Sequence, residues 1–303
     1  METFSFTNRP YQDARDLGAM INLVSKQPSD RVAAFPSIVD LEEISGTEEG
    51  RAAFHLWYKG ENLLAFSYLI GDFFAFEVDT QAPYEYLVDQ LFDWAQAQFA
   101  AAVEPPKSIF TSCREDDEKA IVQFQQHGFL EDPVRTIHFS RSLREPIPAP
   151  VLPEGFAIRP LRGEAELQSW LSVHYATHES SQMTADFRLS MMHAPEYHPE
   201  LDLVAIASGG QLAAYAMCHF STQENQLRKR NVGYTDPVAT HPDFQGKGLA
   251  RALLLEGFQL LKELGMHEVE VSTSGDNLGM IRTAESVGYR QSSATIFFGK
   301  SLE

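Results

Sequence analysis

The chain has 303 residues and a formal net charge of −18, with 44% hydrophobic and 11% aromatic residues. That apolar content is enough for packed cores and argues against disorder, and the length suits two domains better than one. Residues 1–150 carry 12 basic and 24 acidic side chains and the remainder 12 and 18, a surface that repels nucleic acid and anionic membrane and tolerates cationic amines, although solubility alone also explains it. Cys113 and Cys218 are the only cysteines, which suits a reducing cytoplasm better than a disulfide framework. Met1-Glu2-Thr3-Phe4 offers neither a basic nor an apolar leader, and no apolar run reaches membrane-spanning length. A soluble, cytoplasmic protein is expected.

In chain order, Phe6-Thr7-Asn8-Arg9-Pro10 predicts a strand running into a helix. Gly60 to Phe66 predicts a hairpin turn and an alternating strand. Phe76 to Pro83 then leads towards a region ending in Asp117, Ala120, His127, Gly128 and Phe129. Four prolines within residues 146–153 exclude a helix or a central strand there and predict a linker. After it the order repeats. Phe156 to Pro160 parallels Phe6 to Pro10, Gly209 to Tyr215 parallels Gly60 to Phe66, and Asn277, Met280, Val287, Gly288 and Tyr289 parallel the later set. Two copies of one domain are predicted, over 1–145 and 154–303. Arg228-Lys229-Arg230 is expected at a hairpin tip.

The second copy carries a segment that the first lacks. Val238-Ala239-Thr240-His241-Pro242 is followed by Asp243, Phe244, Gln245, Gly246, Lys247, Gly248, Leu249, Ala250 and Arg251. An extended stretch ends at a proline, two glycines flank a lysine, and apolar residues from Leu249 to Leu264 recur at helical spacing until Gly265. Glycines let backbone approach a ligand, and the first amides of a helix suit a phosphate. The P-loop pattern fails because Leu249 follows Gly248, and the dinucleotide fingerprint lacks its third glycine. Taken alone, the glycines also fit an ordinary strand–turn–helix. Glu268 to Thr273 predicts a strand, Asn277 a helix N-cap, and Thr295 to Phe298 a last strand.

Gln-x-x-Gly-x-Ala after Val-x-Thr-His-Pro closely resembles the acetyl-CoA loop of the GNAT superfamily of N-acetyltransferases. The resemblance runs from about residue 155 to the C-terminus. It implies an α/β (α+β) fold of two tandem domains, each a mixed, mostly antiparallel sheet flanked by helices. It also implies acetyl-CoA as co-substrate, with Val238, Ala239 and Thr240 against the pantetheine and thioester. The pyrophosphate would rest on the amides from Gln245 to Ala250, with charge from Lys247 or Arg251, and Asn277 would meet the pantetheine arm. The first copy has Phe76 to Pro83 in place of the loop, with Asp79 adverse to phosphate. It is expected to be a degenerate copy, and tandem proteins with one inactive half are known in the family.

Tyr234 and Asp236 precede the loop two residues apart, on one face of a strand, and Asp236 is the candidate base, with solvent-side placement at a strand start as its plain alternative. The family's Leu-Tyr-Glu-x-x-Gly-Phe run, whose tyrosine is thought to protonate the leaving thiolate, reads Thr283-Ala284-Glu285-Ser286-Val287-Gly288-Tyr289 here. Ala284 stands at that tyrosine's place, and Phe124 matches it in the first copy. His174 and His178 are spaced as a metal pair, but no third ligand is evident, Glu179 does not complete His-Glu-x-x-His, and no metal is expected. Cys218 reads as a buried strand residue rather than a nucleophile. Met183, Phe187, Met191, Met192 and Tyr197 fit helix packing and an acceptor pocket equally well. The expected reaction is acetyl transfer to a primary amine of a small molecule, in a ternary complex. A non-catalytic acyl-CoA sensor or interaction module, and acetylation of a protein N-terminus or lysine, stay open.

Overall fold

The computed structural model describes residues 6–26, 36–79, 82–177 and 183–302. The chain forms two compact units. One comprises Met1–Thr136 with Ser293–Glu303, and the other Ile137–Ser292. The division falls at Thr136, not at the proline-rich stretch. Residues 146–153 do lack helix and strand. They run within the second unit, however, and the units are not contiguous in sequence as 1–145 and 154–303 would be.

The first unit contains β1 (Thr7–Pro10), α1 (Ala14–Ser25), α2 (Ile38–Ser45), α3 (Glu48–Ala52), β2 (Phe54–Lys59) and β3 (Asn62–Ile70). It continues with β4 (Phe73–Val78), α4 (Tyr84–Ala101), β5 (Ser108–Arg114), α5 (Glu118–Gln126) and the start of β6 (Leu130–Ser142). The second unit takes the rest of β6, then β7 (Phe156–Pro160), α6 (Leu167–Thr177), α7 (Ala185–Met192), β8 (Asp202–Ala207), β9 (Leu212–His219) and α8 (Thr222–Arg228). It closes with β10 (Val232–Thr240), α9 (Leu249–Glu263), β11 (Glu268–Ser274), α10 (Leu278–Ser286) and the first residues of β12 (Arg290–Ser301).

The sheet order in the first unit is β1-β2-β3-β4-β5-β12, and in the second β6-β11-β10-β9-β8-β7. Each copy thus completes its sheet with the other's last strand. β12 pairs antiparallel with β5, from Thr295 opposite Arg114 to Ser301 opposite Ser108. The predicted last strand is real but serves the first unit. Only β4–β5 and β10–β11 are recorded as parallel pairs, joined by the crossover helices α4 and α9.

Both copies open with the same half-buried clasp. The Arg9 guanidinium grips Asp16 through two hydrogen bonds of 2.7 Å, while the Gln12 amide donates to the same carboxylate. Arg159 grips Glu166 at 2.8 and 2.6 Å, with the Arg162 amide in the matching place. The planar fork of arginine suits this bidentate geometry, so the Arg-Pro repeat in the sequence marks a conformational device. Burial alone would raise the Asp16 carboxyl, but hydrogen bonds from Arg9, Tyr58 and the Gln12 amide outweigh it and hold it at about 2.

The basic run is not a hairpin tip. Arg228 ends α8, and Lys229 caps that helix in the left-handed conformation at φ 53°. Arg228 meets Glu224 at 3.1 Å, and Arg230 bridges Glu268 and Glu270 at 3.0 and 2.6 Å. Among the described residues no helix is long and apolar enough to cross a membrane.

Two outcomes follow from this architecture. A fragment of residues 154–303 lacks β6 and carries β12 without β5, so circular dichroism should show no cooperative thermal transition, whereas the full chain melts cooperatively. For Asp16→Asn, the folded-state pKa of the lost carboxylate lies below its unfolded value. The stability deficit should therefore be constant, at about 2 kcal/mol, above pH ~4 and vanish as the pH falls towards 2 in urea titrations.

Candidate active site

The site grows from β10. Val232, Gly233 and Tyr234 pair in parallel with Glu268, Val269 and Glu270, and the recorded pairing with β11 ends there. On its other edge β10 stays paired with β9, with Thr235 opposite Cys218 and Val238 opposite Ala216. Asp236 and Pro237 together oppose one residue, a β-bulge. Beyond the bulge Ala239 faces Tyr215, and the His241 amide donates to the Ala213 carbonyl. Backbone groups alternate in direction along a strand. With His241 and Ala239 turned to β9, the amides of Val238 and Thr240 turn to the edge that β11 has left.

Pro242–Phe244 form one 3-10 turn, with the Gln245 side chain bonded back to the Thr240 carbonyl at 3.2 Å. Gly246 and Gly248 follow at φ 73° and 79°, and a Cβ at either would meet nothing within 4 Å. The conformation, not crowding, demands glycine, and the space above the loop is open. Gly248 caps α9 without any side-chain hydrogen bond. Among the described residues no acceptor takes the backbone amides of Gly246, Lys247, Gly248, Leu249, Ala250 or Arg251; the next amide, Ala252, donates to the Gly248 carbonyl. Lys247 is exposed and Arg251 half-buried, and neither forms an ion pair among the described residues. Six unclaimed donors, a helix dipole and two cations make an anion cradle. α9 is seated close to β9 because Gly257 has no side chain: a Cβ there would lie 2.4 Å from the Cys218 sulfur.

Tyr234 lies at the fork, half-buried, with its ring stacked on His219 at 5.2 Å. Burial pushes its phenol well up, and the charges of Glu224 and Glu270 add to this against Arg230 and Arg228. The phenol therefore stays protonated and suits donation rather than base chemistry. Burial pushes the His219 imidazole down to about 4. Asp236 is exposed, and its charge helps to raise the phenols of Tyr215 and Tyr289, after burial as the main cause in each. Asn277 caps α10 by accepting from the Met280 amide at 3.0 Å, so its N-cap role holds. Ala284 is fully buried.

Other candidates separate cleanly. The His174 Nδ1 is spent on the Tyr215 hydroxyl at 2.7 Å beneath the Trp170 ring. His178 and Glu179 lie outside the described residues. Cys218 is buried, and burial raises its thiol far above the range of a reactive thiolate. Tyr197 donates to Asp202 at 2.5 Å, and Asp202 pairs with Arg188, both fully buried. The sequence reading passed over Arg188 and Asp202. Their signal was the single arginine of the helix Ala185–Met192, set among Phe187, Leu189, Met191 and Met192, where a buried charge needs a partner.

The first copy fills the equivalent space. Phe76 on β4 meets Phe124 on α5 at 6.0 Å and Phe92 on α4 at 5.7 Å. By strand register Phe76 matches Val238, and Phe124 matches Ala284. Asp79 is held by Lys26 at 2.8 Å, while Thr80 and Gln81 lie outside the described residues.

A sheet whose parallel pair opens into a fork, with a glycine loop and helix N-terminus at its mouth, is a mixed α/β fold with an anion-binding position at the end of its central strand. Residues 165–289 match the family model of the Acetyltransferase (GNAT) family. A GCN5-related N-acetyltransferase from Sphaerobacter thermophilus superimposes with a TM-score of 0.73 at 19% identity, over 98% of this chain and 95% of that one. A tandem GNAT protein from the clavulanic acid biosynthesis pathway gives 0.71 at 13% identity, over 98% of each chain. These likenesses establish the tandem fold. The mycothiol acetyltransferase of Nocardiopsis dassonvillei is 31% identical over 152 residues, 48% of this chain and 46% of its own. That of Pseudarthrobacter chlorophenolicus is 26% identical over 161 residues, 52% and 49%. The chain thus spans about half the length of the curated relatives it matches.

Proposed function

We propose that the C-terminal unit transfers an acetyl group from acetyl-CoA to a primary amine of a small molecule, and that the N-terminal unit binds no acyl-CoA. The unclaimed amides from Gly246 to Arg251 beside the fork carry this reading. They fit a pyrophosphate, with Gln245 leading into the cradle and Lys247 and Arg251 adding charge. Val238 and Thr240 would offer amides to the pantetheine and thioester along Ala239, and Asn277 would meet the pantetheine arm. The amine nitrogen forms its bond to the thioester carbonyl carbon, the carbon–sulfur bond breaks, and the thiolate leaves. Asp236 takes the amine's proton, directly or through water, while Tyr234 donates a hydrogen bond from the same strand. Relatives named mycothiol acetyltransferase support a small-molecule acceptor. The first copy's phenyl rings and Asp79 support its exclusion from acyl-CoA binding.

The buried Ala284, where the family's run has a tyrosine, favours a second reading: a non-catalytic acyl-CoA sensor or interaction module. Thiol release from acetyl-CoA across a panel of primary amines, beside calorimetric titration of CoA, separates the two. Turnover with small amines is expected; tight CoA binding without turnover on any amine would leave only the sensor.

Two variants test the residues. Gly248→Glu places a side chain at positive φ and a negative charge in the cradle, so CoA affinity should fall by about a hundredfold or more in the same titration. Asp236→Asn should leave CoA affinity unchanged and lower kcat at neutral pH by about a hundredfold; an unchanged kcat removes Asp236 from the chemistry.

A further inference from the structure

The two copies can be compared residue by residue at the fork, and they differ in two linked features. In the first copy β3 and β4 pair without interruption from Ala65 opposite Val78 to Ile70 opposite Phe73. In the second, one extra residue enters β10, so that Asp236 and Pro237 occupy the place of Ala75. The last parallel pair is Tyr234–Glu270, as Phe73–Phe110 is in the first copy. Phe74 therefore matches Thr235, and Phe129 matches Tyr289.

The rings of Phe129 and Tyr289 are seated alike. Phe129 meets Phe92 at 5.3 Å, and Tyr289 meets Phe258 at 5.2 Å, both edge-on. What changes is the contact to the strand. Phe74 and Phe129 touch only as rings, at 6.0 Å. Thr235 and Tyr289 share a buried hydrogen bond of 2.8 Å, and the Tyr289 hydroxyl also reaches the Glu270 carbonyl at 3.4 Å. With the tyrosine proton given to that carbonyl, the Thr235 hydroxyl donates to the phenol oxygen. One phenol thus ties β10 to β11 at the point where their ladder stops, one residue before the bulge and Asp236. The hydroxyl pair and the extra residue occur in the copy that has the glycine loop and in neither place in the other.

We infer that Tyr289 is a positioning residue for acyl transfer: its hydroxyl fixes the fork through Thr235 and the Glu270 carbonyl, and so sets the bulge that presents Asp236. This rests on the proposed acetyltransferase reading. It requires no contact between Tyr289 and either substrate, since Tyr289 is only 2% exposed and Thr235 wholly buried.

The test is steady-state kinetics on the full chain with acetyl-CoA and an amine that the wild type accepts, beside CoA titration. Tyr289→Phe reproduces the ring of Phe129 and should fold. It is expected to lower kcat about tenfold, with KM for acetyl-CoA and CoA affinity within about twofold of wild type. Thr235→Val should cost the same, Thr235→Ser should restore wild-type kcat, and the double variant Tyr289→Phe/Thr235→Val should be no slower than the worse single one. Wild-type kcat in Tyr289→Phe, a loss carried by CoA affinity, multiplicative losses in the double variant, or failure of Tyr289→Phe to fold would each overturn the positioning role alone. Absence of turnover in the wild type would overturn the acetyltransferase reading and this inference together.

Discussion

β10 cannot serve two neighbours along its whole length. It shares three residues with β11, then an extra residue enters opposite Met217 and the strand continues with β9 alone. A buried strand edge without a partner is costly, yet here the edge bears the amides of Val238 and Thr240 beside the loop. The same departure gives Asp236 its exposed position and leaves α9 to start at an uncapped glycine. Fork, bulge, loop and helix start are therefore one structural event. A ligand with both a long acceptor-bearing arm and a pyrophosphate would satisfy all the donors at once, which supports the proposal of acyl-CoA over a lone phosphate.

The first copy shows the same backbone plan without that demand. Its parallel pair is recorded at one position only, Phe73 with Phe110, but the space beyond is packed with Phe74, Phe76, Phe92, Phe124 and Phe129. The four fully buried rings, Phe74, Phe92, Phe124 and Phe129, each stabilise by about 1.5–3 kcal/mol, with Phe76 half-buried against them, so a fork closed by phenyl rings is stable without ligand. Replacing Phe76 and Phe124 by Val238 and Ala284, and Phe74 by Thr235, removes aromatic bulk and introduces hydroxyl chemistry. Opening a site in this fold exchanges packing for hydrogen-bonding capacity, and only the second copy has made the exchange.

Much of this was legible in the residues, for identifiable reasons. The loop could be read because positive φ restricts Gly246 and Gly248 to one residue type. The repeat could be read because Arg9-Pro10 and Arg159-Pro160 each encode a clasp to a carboxylate seven residues on. The exchange of last strands could not, because β6 and β12 have similar alternating patterns and either would satisfy either sheet edge. The bulge was invisible too: a period-2 pattern does not reveal that Asp236 and Pro237 share one partner. Arg228-Lys229-Arg230 misled because basic residues suit a turn, whereas Glu224, Glu268 and Glu270, far apart in sequence, fold around two of them.

The buried alanine at 284 gains a different meaning in this frame. A thiol has a pKa of about 8.5, so a thiolate departs near neutral pH without a dedicated acid, and a side chain there is the least necessary part of the machinery. In the proposed transfer the amine is the harder partner, since it arrives protonated and must lose its proton where the thioester carbonyl lies in line. Under the proposed function both requirements fall on β10: proton removal on Asp236, and alignment on the amides of the strand's free edge. The proposed chemistry thus draws on the strand that the Tyr289 hydroxyl ties to its neighbour through Thr235 and the Glu270 carbonyl.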